Sequence, residues 1–227
     1  MPFFLKEDSN NFPTPLLADE DGLLAFGGNL SPASLQNAYS MGIFPWYSEG
    51  QPILWWSPNP RMVLYPNEFI RHKNLSKTVN SGMFEVRFDT NFKDIIENCS
   101  TAPRPRQDGT WITAEMKEAY ILMHKLGYAH SVETYSEGKL VGGLYGLSFG
   151  KIFFGESMFY LQKDASKVAL WHLVDRLLEW GFELIDAQQE TGHLKSLGAR
   201  PISRESFLTL LDKNLEYETK LGKWANL

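Results

Sequence analysis

Two polar residues, Asp186 and Gln188, close the run FELIDAQ, apolar up to them but for Glu183. If the run is a strand, its period of two turns both side chains to one face, continuing the row of Phe182 and Leu184. A carboxylate and an amide side by side can orient a reactant and hold its charge, and ligands of open sheets collect at strand ends of this kind. The plainer reading has Asp186 capping the next turn and Gln188 tying down a loop. A second carboxylate, Glu156, sits in FFGESMF among Phe153, Phe154, Met158 and Phe159. A carboxylate in such surroundings must be paired, protonated or functional. Lys167 or an arginine would be its ordinary partner.

Aromatic residues form a third group. GIFPWYSEG and QPILWWSPNPRM place Trp46, Tyr47, Trp55 and Trp56 in a segment too broken by proline and glycine for an ordinary helix or strand, and Trp111 follows in GTWIT. Beside a basic patch, such rings can stack on unpaired bases. More commonly tryptophans in proline-rich segments hold domains together. Other chemistries find no support. One cysteine and five scattered histidines give no zinc-ligand pair at the usual spacing. VGGLYGLSFG is glycine-rich but matches neither G-x-G-x-x-G nor a P-loop. No motif supports a serine or cysteine nucleophile.

The elements that must position these groups follow from periodicity and turn residues. Ser31-Pro32 reads as an N-cap and first helical residue, with Leu35, Ala38 and Tyr39 on one face and Gly42 as the stop. FEVRFD alternates as a strand, and NFKDIIENCS reads as a short helix. Thr113 caps a helix whose face carries Met116, Ala119, Tyr120 and Met123. AHSVETYS, KLVGGLYGLSF and KIFFGESMFYL, parted by Glu137-Gly138 and Gly150, read as an antiparallel meander. From Ser166 to Trp180 a helix carries the stripe Leu170, Leu173, Val174, Leu177 and Leu178, capped by Asp164 or Ser166. FELIDAQ is then a buried strand and TGHLKSLG a short helix. The order predicts an α+β or mixed α/β sheet with helices on its faces, divided into a small N-terminal domain, 1–65, and a larger one, 66–227.

At 227 residues and 43 % hydrophobic content, the chain can bury a sizeable core. Cys99 stands alone, so no internal disulfide forms. The start MPFFLKEDSNN lacks a signal-peptide pattern, and no apolar run approaches the roughly 20 residues that span a bilayer. A soluble cytoplasmic protein is expected. Net charge is −5, yet residues 60–106 carry eight basic and five acidic groups. RHKNLSK within that stretch has no acid, and PRPR adds Arg104 and Arg106. Local patches of this kind can meet phosphates whatever the overall sign, although a solvated basic face is the plainer reading.

Taken together, GLLAFGGNLSP, GIFPWYSEGQPILWWSPNPRMVL, GTWIT, GYAHSVE, LVGGLYG, FFGESMF, ASKVAL, LIDAQ and SLGA resemble leucyl/phenylalanyl-tRNA–protein transferases, in order from about Gly22 to Phe207. The resemblance implies an enzyme that moves Leu or Phe, with Met as a further candidate, from aminoacyl-tRNA to the N-terminal amine of proteins beginning with Arg or Lys, marking them for N-end rule degradation. It implies a larger domain like the acetyl-CoA-dependent N-acetyltransferases and no metal or organic cofactor; a monomer is expected because no long apolar surface stripe is left over. By the same resemblance Asp186, Gln188 and Glu156 form the reaction centre, and Trp46 and Trp111 meet the terminal adenosine. Leu144, Met158, Leu170, Leu173, Leu177 and Ile185 build the side-chain pocket, and Arg71, Lys73 and Lys77 meet the tRNA. Trp55 and Trp56 are expected at the domain interface, and Glu156 with Asp186 to attract a cationic acceptor. An acetyl-CoA enzyme is the nearest rival, although FYLQKDASK lacks the glycines of a pyrophosphate loop. A non-catalytic RNA- or peptide-binding module is the second.

Overall fold

The computed structural model describes residues 1–102 and 110–226; the basic pair Arg104 and Arg106 lies outside them. Two sheets organise the chain. In the first, β1 (Phe3–Leu5), β2 (Leu23–Gly27), β3 (Phe44–Pro45) and β4 (Leu54–Trp56) pair in the order β1-β2-β4-β3, with α1 (Pro32–Ser40) between β2 and β3. The proline-rich segment therefore does form strands, short ones interrupted where prolines remove ladder donors. Ser31 caps α1 by accepting the N–H of Ser34, and Leu35, Ala38 and Tyr39 are buried as the periodicity predicts.

The second sheet is built from β5 (Arg61–Leu64), β6 (Glu85–Phe88), β7 (Ala129–Ser136), β8 (Lys139–Phe149), β9 (Ile152–Tyr160), β10 (Leu184–Gln188) and β11 (Arg200–Ile202), in the order β11-β5-β10-β9-β8-β7-β6. β5, ahead of the division expected near residue 65, pairs with β10 and β11 of this sheet. The meander β7-β8-β9 is antiparallel, and β10 lies parallel to β9. A parallel neighbour needs a crossover, supplied by α5 (Ala165–Glu179). Two cores result, one on each face. On one side α1, α3 (Phe92–Thr101), α4 (Ala114–Lys125) and α7 (Arg204–Leu215) bury a cluster with Leu35, Ile95, Met116 and Phe207. On the other, α5 buries Leu170, Leu173, Val174 and Leu177 against Leu144, Phe153 and Ile185. This is the mixed α/β arrangement expected.

Details of the helices differ. Thr113 caps α4 through the N–H of Met116, but neither residue offered as a cap for α5 bonds its first turn. Asp164 holds the N-cap position in the left-handed region (φ 67°) with no side-chain cap bond. Leu178 is exposed, because the stripe on α5 is narrower than its leucines suggest. The glycines of LVGGLYG serve close packing. A Cβ on Gly142 would lie 2.6 Å from that of Ala165, and one on Gly146 would lie 2.1 Å from the carbonyl oxygen of Phe154.

Candidate active site

The site begins where two strands part. β10 pairs with β9 only as far as Asp186 opposite Phe154, while β9 runs on to Tyr160 against β8. Beyond the split a cavity of about 880 Å³ opens at the carboxyl end of β10. Two irregularities aim side chains into it. Glu156 is the extra residue of a bulge in β9, since Gly146 faces Gly155 while Tyr145 faces Ser157. Gln188 ends β10 with φ 60°, after a register shift against β5. Across the gap, Gln188 Nε2 donates to Glu156 Oε1 at 2.9 Å.

Alternation therefore does not carry Asp186 and Gln188 onto one functional face. Gln188 lines the cavity and Asp186 does not. Asp186 is fully buried, and its two oxygens accept from Arg61, Nε to Oδ1 at 2.8 Å and Nη2 to Oδ2 at 2.6 Å. The Arg61 guanidinium lies between the rings of Phe44 and Phe207 and donates a third bond to the Gly42 carbonyl. Asp186 Oδ1 also accepts the Gln188 backbone N–H at 2.9 Å, pinning the left-handed turn that presents the amide. Its charge is compensated on the spot, so Asp186 cannot attract a cationic acceptor as expected from the sequence; Glu156 alone of the two faces the cavity.

Glu156 has neither Lys167 nor an arginine for company. Tyr39 of α1 donates to its Oε1 at 2.6 Å and Tyr120 of α4 to its Oε2 at 3.3 Å, and the two phenolic oxygens are 2.5 Å apart. Burial drives its pKa up to about 7; the bonds from Tyr39 and Gln188 hold it back, and the nearby Asp186 charge adds to the rise. Burial and the Glu156 charge push both tyrosines well above their usual value, so both remain donors at neutral pH. Gln188 must turn its NH₂ toward the carboxylate when that group is ionised, which leaves its carbonyl oxygen for another partner.

Around this centre the expected residues separate. Trp46 and Trp111 line the cavity. Trp56 packs against the core cluster that joins the first sheet to α3, α4 and α7, and its indole N–H bonds the Trp46 carbonyl while the two rings meet at 61°, bracing that residue. Trp55 is fully buried and donates to the Gly27 carbonyl within the first sheet's core. Leu144, Met158, Leu170, Leu173 and Ile185 form the apolar wall, while Leu177 is buried among core side chains and is not part of the lining. Arg71 pairs with Asp175 and lies over Phe69 and Trp171; Lys73 and Lys77, exposed on α2 (Lys73–Asn80), are outside the cavity. Sequence reasoning missed Arg61, Tyr39 and Tyr120 as site residues. The two tyrosines stand on helix faces that read as core, and Arg61 sits next to a proline.

The arrangement brings together an apolar wall, aromatic rings and an acid with neutral donors at the strand ends. Comparisons with known proteins make the assignment specific. A family profile described as leucyl/phenylalanyl-tRNA protein transferase matches residues 63–212, and one for the N-terminal domain of the same family matches residues 28–59. The chain is 52 % identical to the leucyl/phenylalanyl-tRNA–protein transferase of Myxococcus xanthus over 99 % of its own length and 97 % of the relative's. It is 59 % identical to that of Dechloromonas aromatica over 86 % and 85 %. This chain belongs to the leucyl/phenylalanyl-tRNA–protein transferase family. Among solved structures it aligns with a GCN5-related N-acetyltransferase from Kribbella flavida at TM-score 0.39 and 10 % identity, covering 76 % of this chain and 61 % of that one, a likeness too distant to bear on chemistry.

Proposed function

We propose that the protein is an aminoacyltransferase that moves Leu or Phe from aminoacyl-tRNA to the N-terminal α-amine of proteins beginning with Arg or Lys. Its family membership supports the transfer from tRNA to protein. The observation that carries the site assignment is the Glu156–Gln188 contact at the head of the apolar cavity. The acyl side chain lies against Leu144, Met158, Leu170, Leu173 and Ile185, and the terminal adenine against Trp46 and Trp111. Arg71, Lys73 and Lys77 meet the tRNA farther out.

The aminoacyl ester is already activated, so the task is to bring an amine to a carbonyl and manage one proton. The amine accounts for part of this itself, since its ordinary pKa of ~8 leaves a useful neutral fraction at pH 7. Gln188 accepts a hydrogen bond from the attacking nitrogen through its free carbonyl oxygen. That nitrogen bonds to the ester carbon, the bond to the ribose oxygen breaks, and Glu156 takes the nitrogen's proton. The same proton then passes to the departing ribose oxygen, which leaves as a hydroxyl. Asp186 is a positioning residue, acting through Gln188. The negative Glu156 also draws the cationic acceptor. We further propose a cytoplasmic monomer whose products enter N-end rule degradation, and a division into domains ahead of β5, earlier than the residue 65 expected from the sequence because β5 pairs within the second sheet. No helix of the described residues is long and apolar enough to cross a membrane.

The test mixes the protein with Phe-tRNA or Leu-tRNA bearing labelled amino acid and peptides beginning with Arg or Ala, with acetyl-CoA in a separate arm. Label on the Arg peptide alone, dependent on tRNA, is expected. Acetylation without aminoacyl transfer would overturn the reading.

A further inference from the structure

The chain that follows α7 returns to the core. The Gly150 N–H donates to Thr219 Oγ1 at 2.9 Å, and Gly222 passes so near that a Cβ on Gly127 would lie 2.4 Å from its nitrogen. Trp224 is then fully buried, in the same cluster as Leu144, Leu170, Leu173 and Ile185 of the apolar wall. Each of its polar groups is tied. The backbone N–H donates to Asp89 Oδ2 at 2.7 Å, the carbonyl accepts from Arg176 Nη1 at 3.3 Å, and the indole N–H donates to the Lys220 carbonyl at 3.2 Å. The same Asp89 oxygen accepts from His130 Nδ1 at 2.9 Å, and the His130 ring lies on the indole, 3.8 Å between centroids and 14° between planes. One carboxylate thus fixes both members of a stacked pair. Trp180 and Phe182 meet the indole at 87° and 73°. A further contact leads to the site: the Phe153 ring lies 5.8 Å from the indole between centroids. Phe153 lines the cavity, and Trp224 does not.

We propose that Trp224 is a positioning residue for the acyl pocket: held by Asp89 and His130, it backs Phe153 and so sets how large a side chain the pocket admits. The inference rests on the transferase reading above. A ring in a protein interior can retreat only into free space, and interiors at native packing density hold little of it. With the indole behind it, Phe153 is a rigid part of the wall. A smaller residue at position 224 leaves a void that the surroundings fill only in part, and the Phe153 ring is free to move into it. The pocket then deepens. A leucyl side chain gains nothing from the added depth, whereas a phenylalanyl ring does. The property that responds is therefore the choice between the two acyl groups, which apolar pockets discriminate by size.

The test competes Leu-tRNA and Phe-tRNA for one Arg-initiated peptide and reads the ratio of the two products, which does not depend on how much of the enzyme is folded. Trp224→Leu should move the ratio toward Phe by roughly fivefold, and Trp224→Phe, which keeps a ring behind Phe153, by less than about twofold. Trp224→Met fills more of the space and reads the same ratio if Trp224→Leu does not fold, with roughly threefold expected. Phe153→Leu should move the ratio the same way. Combining it with Trp224→Leu should shift it no further, as expected when one residue acts through the other. Leu24→Ala, a loss from an equally buried position in the first sheet, should lower the melting temperature and leave the ratio alone. A wild-type ratio in the folded Trp224→Leu or Trp224→Met protein, or additive shifts in the double variant, would overturn the positioning role and leave the transferase reading standing. No transfer from either tRNA by the wild type would overturn both.

Discussion

Two carboxylates stand at the parted strands and meet opposite fates. Asp186, one face of β10 away from the cavity, has a buried arginine, two charge-assisted bonds and a backbone N–H. Glu156, on the bulge of β9, has two phenols and an amide, all neutral. A full opposite charge ties the first into an ion pair away from the cavity. Neutral donors in a buried place leave the second poised near pH 7, able to take or hold a proton. The contrast teaches that closeness to the reaction does not define the role; the partner's charge does.

The comparison breaks most severely at Arg61. Arg61→Met leaves a buried, unpaired carboxylate and should cost about 3–5 kcal/mol of folding free energy, read by denaturant titration. Adding Asp186→Leu should recover much of it, because an apolar pair of similar volume replaces the ions. Glu156→Gln is expected to act the other way, slowing transfer on the order of a hundredfold or more with little loss of stability at pH 7. Stability sharpens the difference further. A carboxyl whose folded pKa is raised from 4.5 to about 7 binds its proton more tightly when folded. The wild type therefore loses stability as pH climbs through that window, relative to Glu156→Gln, and melting curves across it should converge at the acid end.

Smaller effects separate the wall from the centre. Leu173→Phe fills the acyl pocket and should shift preference toward Leu over Phe by roughly tenfold, measured by competing the two charged tRNAs. Leu177→Met, outside the lining, should leave that ratio alone. Tyr39→Phe removes a bond that favours the ionised Glu156, so the acid limb of the rate profile should move to higher pH and the rate at pH 7 fall about threefold.

Much of this was legible in the chain. The meander, α5 and the buried strand to Gln188 follow from period-two and 3.6-residue patterns, and Thr113 and Ser31 announce their caps. The tryptophans and the three polar residues were visible by type. What the pattern hid is irregular. A bulge at Glu156 and a left-handed Gln188 have no period, and alternation therefore misplaced Asp186. Long-range partners were hidden too: Arg61 reaches Asp186, and Tyr39 and Tyr120 reach Glu156, only after both sheets close. Two tyrosines on amphipathic faces look the same whether they fill a core or hold a proton.

The central claim is that Glu156 is the proton acceptor, and the pH dependence of single-turnover transfer from Leu-tRNA to an Arg-initiated peptide tests it most directly. With both Glu156 and the amine required unprotonated, the wild-type log rate should rise on the acid side with one unit more slope against pH than Glu156→Gln, the extra ionisation falling near 7. Parallel profiles for the two proteins would contradict the account.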